Sequence, residues 1–281
     1  MKNITLQIFT SAIFFFASST FALEGVIKDS FIQVGDTNYE VKISSPESKR
    51  TEHLKTIIFE SGFGTGLDTW QPLIESLSPE YRTITYSRIG TGKTKSADIK
   101  LTISEHVQQL HLLIEALKID TPITLVGHSY GGIVATEFAR NYPASTNALV
   151  LIDPSVISQR TIFKSIASKR IQQDDLMLKK YMPTHLVGDY EVLLKQMDSQ
   201  PNVVTPLPAN IPTALLTSTK VSNEPFVFEE TKQGKLAWLN IHIDLFKSVT
   251  QGVHYRVNNA GHNIHVEKPE LVINAITSLI N

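Results

Sequence analysis

The chain of 281 residues contains no cysteine, so it forms no disulfide and offers no thiol for lipidation. It also lacks net charge: 26 Lys and Arg stand against 27 Asp and Glu, a formal balance of −1. A near-neutral surface gives no reason to expect nucleic acid or an anionic membrane as a partner. Internal repeats, low-complexity tracts and long linkers are missing too. The nine His residues are scattered, and the "HNIH" pair of His262 and His265 has no His-Glu-x-x-His and no cysteine to complete a ligand set. Neither a metal nor a cofactor is expected. What remains, with 42% hydrophobic residues, is enough for one sizeable single-core domain.

Only one stretch looks aimed at a membrane. "MKNITLQIFTSAIFFFASSTFALEG" has Lys2 as a positive start, a short apolar centre from Ile8 to Ala17, and Thr20 and Ala22 at the −3 and −1 positions of a cleavage site. A membrane span needs about 20 apolar residues, and this centre is shorter and broken by Thr10 and Ser11. Residues 1–22 read as a signal peptide, cleaved after Ala22. The expected location is the periplasm or the medium, with no stable membrane anchor.

Beyond residue 23, apolar strand runs alternate with helical patterns. "GVIKDSFIQVGDTNYEVKISSP" reads as a hairpin about Gly35-Asp36. "KTIIFESG", "YRTITYS", "PITLVG", "NALVLID", "PTALLTS" and "VHYRVNN" read as further strands. Asp68 with Gln71, and Thr102 with Glu105, stand at capping-box spacing before helices. Val107, Leu110, Ile114 and Leu117 place an apolar stripe on the second of these. Near-continuous apolar strands separated by helices predict an α/β fold, a mostly parallel central sheet with helices on both faces. From about 155 to 208 the strand signals vanish, which predicts a helical insertion over the carboxyl edge of the sheet, where such folds place their sites.

The most informative stretch is "ITLVGHSYGGIVATEFA", residues 123–139. A residue on a sharp strand-to-helix turn sits in strained backbone geometry, and its neighbours two positions either side crowd each other. Gly127 and Gly131 remove the Cβ atoms that would clash, which makes Ser129 the centre of a G-x-S-x-G nucleophile elbow. A serine hydroxyl needs a base to attack anything. His262 in "VNNAGHNIHVEKP" follows the last strand directly and is the candidate, with His265 three residues on as its rival. His254 begins that strand, His106 and His111 lie on a helix, and His128 flanks the serine but faces away from it.

These pieces, "FESGFGTGLDTW", "YSRIGTGKT", "GHSYGG", "LIDPS" and "AGHNIHVEKP", occur in one order in which the chain resembles the α/β-hydrolase superfamily over residues 25–281. It looks closest to lid-bearing members that include esterases, lipases and proline iminopeptidase-like enzymes. The resemblance implies a hydrolase domain at 23–281 with the lid at about 155–208, acting on a small-molecule acyl substrate. It implies an oxyanion hole from the backbone N–H groups of Phe63 and Tyr130. It also implies a triad acid, and here the chain departs from many relatives: no Gly-x-x-Asp follows the strand "PTALLTS". Asp153, at the end of "NALVLID", matches the family's other arrangement, with Glu224 as the alternative acid. Ser61 stands where many relatives carry a His. The expected activity is ester cleavage through an acyl-enzyme; a small-amide or aminopeptidase-type hydrolase and a non-catalytic ligand-binding homologue are the rival readings.

"SRIGTGKT" ends like a phosphate-binding loop, but Ser87 stands at the first glycine position and no helical pattern follows. In the insertion, Phe163, Ile166, Leu176, Met177, Tyr181, Met182 and Leu186 suggest a mainly apolar pocket.

Overall fold

The computed structural model describes residues 25–46, 54–95 and 100–280; the expected signal peptide at 1–22 lies outside them. Strands β1 (Gly25–Val34) and β2 (Thr37–Pro46) form the hairpin, with Gly35 at φ +54° in its two-residue turn. β3 (Thr56–Glu60), β4 (Arg82–Tyr86), β5 (Ile123–His128), β6 (Thr146–Ile152), β7 (Thr213–Ser218) and β8 (Gly252–Val257) complete one eight-stranded sheet in the order β1-β2-β4-β3-β5-β6-β7-β8. The pairs β1/β2 and β2/β4 are antiparallel and the others parallel.

The period-2 geometry of a strand sends alternate side chains to opposite faces. Ile57, Phe59, Val126, Val150, Ala214 and Leu216 therefore pack on one face, against α1 (Gln71–Leu77) and α8 (Pro269–Ile280). Ile58, Leu125, Leu149, Leu151 and Leu215 point the other way, into α2 (Ile103–Ala116), α3 (Tyr130–Asn141) and α6 (Lys232–Phe246). Both faces are covered, so the central strands need no polar side and read as solid apolar runs.

Local sequence decides the helix ends unevenly. Thr102 and Glu105 form the complete capping box of α2. Asp68 does not cap α1: a 3-10 turn occupies Leu67–Trp70, no side chain caps it, and Gln71 donates instead to Glu75 one turn on. Tertiary packing explains the difference, because Trp70 is fully buried against Phe59 and fixes the chain there.

Between β6 and β7 lie α4 (Gln159–Tyr181), broken at Ala167 (φ −146°, ψ 53°), and α5 (Thr184–Asp198). Arg160 fastens the pair. Its Nη atoms donate to both oxygens of Asp175, at 2.7 and 2.6 Å, and its Nε to Asp198 Oδ1 at 2.7 Å. No helix among the described residues is long and apolar enough to cross a membrane.

Candidate active site

β5 ends in the serine turn. Ser129 has φ +53° and ψ −122°, a conformation that costs a residue with a Cβ of order 1–3 kcal/mol and persists only where packing dictates it. The packing is visible at the two glycines. A Cβ on Gly127 would lie 2.6 Å from the Gly131 carbonyl oxygen, and one on Gly131 would lie 2.1 Å from that of Glu60. α3 begins at the next residue, so its free N–H groups cluster beside Ser129.

The end of β6 holds Asp153, also at positive φ (+42°) and fully buried. Leaving a buried carboxylate without partners costs several kcal/mol, and three groups prevent that here. Oδ1 accepts from Ser218 N at 2.8 Å and Trp238 Nε1 at 2.7 Å, and Oδ2 meets His262 Nδ1 at 2.7 Å. β6 and β7 are parallel neighbours, so an acid leaving either strand end can reach the same imidazole. Glu224 does not reach it: it is exposed, in the loop after β7, and its backbone N–H bonds Ser222 Oγ.

His262 sits between β8 and α7 (Ile264–Glu267), in a loop pinned at several points. His128 Nε2 bonds the His262 carbonyl oxygen at 3.0 Å, Ser218 Oγ donates to the Ala260 carbonyl, and Gly261 N donates to Glu267 Oε1. His128 thus faces away from the serine, as expected, and supports the loop. The rival His265 is buried against Trp70 and bonds Thr69. His254 bonds Thr217, His106 lies edge-on to Tyr130, and His111 stacks on Tyr142.

Ser129, His262, Phe63 and Tyr130 all open on one cavity of about 440 Å³. Among the described residues Ser129 Oγ has no hydrogen-bond partner, a looseness common in unliganded sites. The N–H groups of Phe63 and Tyr130 also lack acceptors among the described residues. α4, α5 and the turn between them roof the cavity with Phe163, Leu178, Met182 and Leu193, beside the polar Arg160, Asp175 and Tyr190. Of the seven insertion side chains expected about a mainly apolar pocket, Phe163 and Met182 line it, whereas Ile166, Leu176 and Tyr181 are exposed and Leu186 packs against Gly64.

A second charged pair, absent from the sequence reading, adjoins the first. Lys235 Nζ, nearly buried, lies 2.7 Å from Glu229 Oε1. One ligand atom each from Asp153, Glu229 and His262 falls within 4.8 Å of the others. The Lys235 ammonium and the His262 ring already partner these carboxylates, so nothing there calls for a cation. Burial pulls the His262 pKa down, yet the bond and charge of Asp153, helped by Glu229, outweigh it and hold the imidazole above its ordinary value. Burial raises Asp153, but His262 outweighs that and keeps it ionised. Burial drives His128 well below the usual range and His265 to about 4.

Strand order, serine turn and imidazole loop define a hydrolase of the α/β class. The family model described as alpha/beta hydrolase fold matches residues 55–197, and the chain belongs to that family. Among its relatives is an uncharacterised Bacillus subtilis protein, YqjL, 28% identical over 80% of this chain and 85% of that one. The bovine (Bos taurus) monoacylglycerol lipase ABHD6 is 29% identical over 47% of this chain and 40% of its own. In structure, the chain is similar to naproxen esterase from Bacillus subtilis, with a TM-score of 0.61, 16% identity, and 92% of each chain covered.

Proposed function

We propose that the protein is a cofactor-free serine hydrolase that cleaves carboxylic esters through an acyl-enzyme. The observation that carries this reading is the Asp153–His262 pair, 2.7 Å apart, opening with Ser129 on a single cavity. Ser129 Oγ attacks the ester carbonyl while His262 Nε2 takes its proton; Asp153 holds Nδ1 and stabilises the imidazolium. The negative oxygen of the tetrahedral intermediate accepts from the N–H groups of Phe63 and Tyr130, each donor worth about 2.7–4 kcal/mol in such sites. The intermediate collapses, His262 returns the proton to the departing alkoxide, and water then repeats the cycle on the acyl-Ser129 ester. α4 and α5 act as the lid. The names of two relatives, a monoacylglycerol lipase and an esterase, support the substrate class. Export of this enzyme rests on residues 1–22.

A fluorophosphonate probe is expected to label Ser129 stoichiometrically, and p-nitrophenyl esters are expected to turn over while aminoacyl amides are not. Amide turnover without ester turnover would replace the ester reading; no label and no turnover would leave a ligand-binding homologue.

The charges around His262 give a second test. The base works only when neutral, so activity is lost as pH falls through its raised pKa. The rising limb of kcat/KM is expected above the ordinary imidazole value of about 6.5. Glu229→Gln should move that limb to lower pH and Lys235→Met to higher pH, since one removes a negative and the other a positive charge. His128 and His265, the other titratable neighbours, stay neutral across this range. Limbs moving in the same direction would remove this pair from the electrostatics of the base.

A further inference from the structure

The loop that follows β3 carries the Gly62–Phe63 peptide, whose N–H belongs to the oxyanion hole proposed above. Its orientation is not left to the loop alone. Arg88, on the segment after β4, is 5% exposed and reaches across beneath it. Nη1 donates to Glu60 Oε2 at 3.0 Å and to the Ser61 carbonyl oxygen at 2.7 Å, and Nη2 donates to the Gly62 carbonyl oxygen at 2.5 Å. Thr65 adds a hydroxyl donor to the same Gly62 oxygen at 3.0 Å. The guanidinium also lies 5.2 Å from the centroid of the Tyr130 ring.

A trans peptide is planar, and its C=O and N–H point in opposite directions. Holding the Gly62 oxygen therefore fixes where the Phe63 N–H points. A charged donor on the oxygen also polarises the amide and strengthens its N–H as a donor. Glu60 has no exposed surface, and its second oxygen takes the Tyr86 hydroxyl, so the carboxylate has no freedom to pull Arg88 elsewhere. Ser61 bonds the Gly66 carbonyl oxygen and accepts from Trp70 Nε1, which steadies the far end of the loop.

We infer that Arg88 is a positioning residue for the oxyanion hole, aiming the Phe63 N–H through the Gly62 carbonyl and bracing Tyr130 from beneath. The inference rests on the serine-hydrolase reading. A purely structural buried ion pair would affect stability; a positioning residue affects the transition state selectively.

The two are separated by kinetics with a trifluoromethyl ketone. Ser129 Oγ adds to its carbonyl carbon, the C=O π pair moves onto oxygen, and the serine proton goes to His262. The resulting anion occupies the oxyanion hole. An ether analogue of the substrate, with no carbonyl, reports ground-state binding. Arg88→Met alone would strand the Glu60 carboxylate, so Glu60→Gln/Arg88→Met is compared with Glu60→Gln. The double variant is expected to lose about 10²-fold in kcat against that reference, with KM and ether affinity unchanged and ketone affinity falling in parallel. If the double variant does not fold, Arg88→Lys, which keeps the charge but loses the planar fork, is expected to lose about tenfold, the worth of one charge-assisted hydrogen bond. Unchanged kcat and ketone affinity in the variant that folds, or a loss confined to KM or melting temperature, would overturn the inference. Turnover surviving in Ser129→Ala would instead remove the hydrolase reading beneath it.

Discussion

Replacing Ser129 by alanine is expected to lower kcat on p-nitrophenyl esters by about 10⁶-fold and to abolish fluorophosphonate labelling. The hydroxyl supplies the bond-forming electrons, and neither backbone donor at Phe63 or Tyr130 can substitute for it. Its removal leaves the turn otherwise intact. Ser129 N still bonds the Ile152 carbonyl and Ser129 O still accepts from Gly132 N and Ser155 N. Since Oγ itself has no partner among the described residues, the deletion strands no buried group. The melting profile should therefore match the parent, within about 0.5 kcal/mol of stability. Parental turnover in a folded Ser129→Ala protein would mean that the chemistry occurs elsewhere.

Asp153→Asn is expected to cost about 10⁴-fold in kcat, and the hydrogen bonds explain why so similar a side chain fails. Oδ1 accepts from two N–H groups, Ser218 N and Trp238 Nε1. In the variant that position must be taken by the amide oxygen, which turns the NH₂ toward His262 Nδ1. Nδ1 must then accept rather than donate, so the ring proton resides on Nε2. A base already protonated at Nε2 cannot receive the serine proton. Glu224→Gln, at an exposed carboxylate, is expected to leave kcat at the parental level. The reverse ranking of these two variants would assign the acid role to Glu224 and leave Asp153 as a packing group.

Much of the fold was legible because the strands announce themselves. β3, β5 and β7 are buried at every position, and an apolar run of that length between turn residues has few alternatives. The glycines around Ser129 were legible for a steric reason that any backbone making this turn must obey. His262, the candidate base, was legible from its place after the last strand. Asp68 misled because a local capping signal lost to the burial of Trp70; the helices of the insertion were legible, whereas the break at Ala167, which carries no glycine or proline, was not.

What could not be read is the set of long-range partners. Trp238 lies 85 residues from Asp153 and looks in sequence like an ordinary core residue of α6. Arg88 and Glu60 each sit at the end of a strand, where a charged residue usually meets solvent. Lys235 and Glu229 are six residues apart, but only the 3-10 turn at Phe228–Glu230 brings them to His262. Spacing reveals residues that must be neighbours along one element; it does not reveal which elements will meet.

Because the carboxylate facing His262 departs from β6, the segment just past β7 carries none of the polar groups bonded to that imidazole. Residues 220–223 nevertheless form one wall of a second cavity of about 360 Å³ that His262 also borders. Lys220 is tied to Glu267, which holds Gly261 beside His262, but the wall at 221–223 makes no contact with the Asp153–His262 bond and can change in length or character with that bond left in place. On the ester-hydrolase reading proposed above, the acid and this wall belong to different loops, so the wall is where a preference for one alcohol or acyl group over another can change at little structural cost.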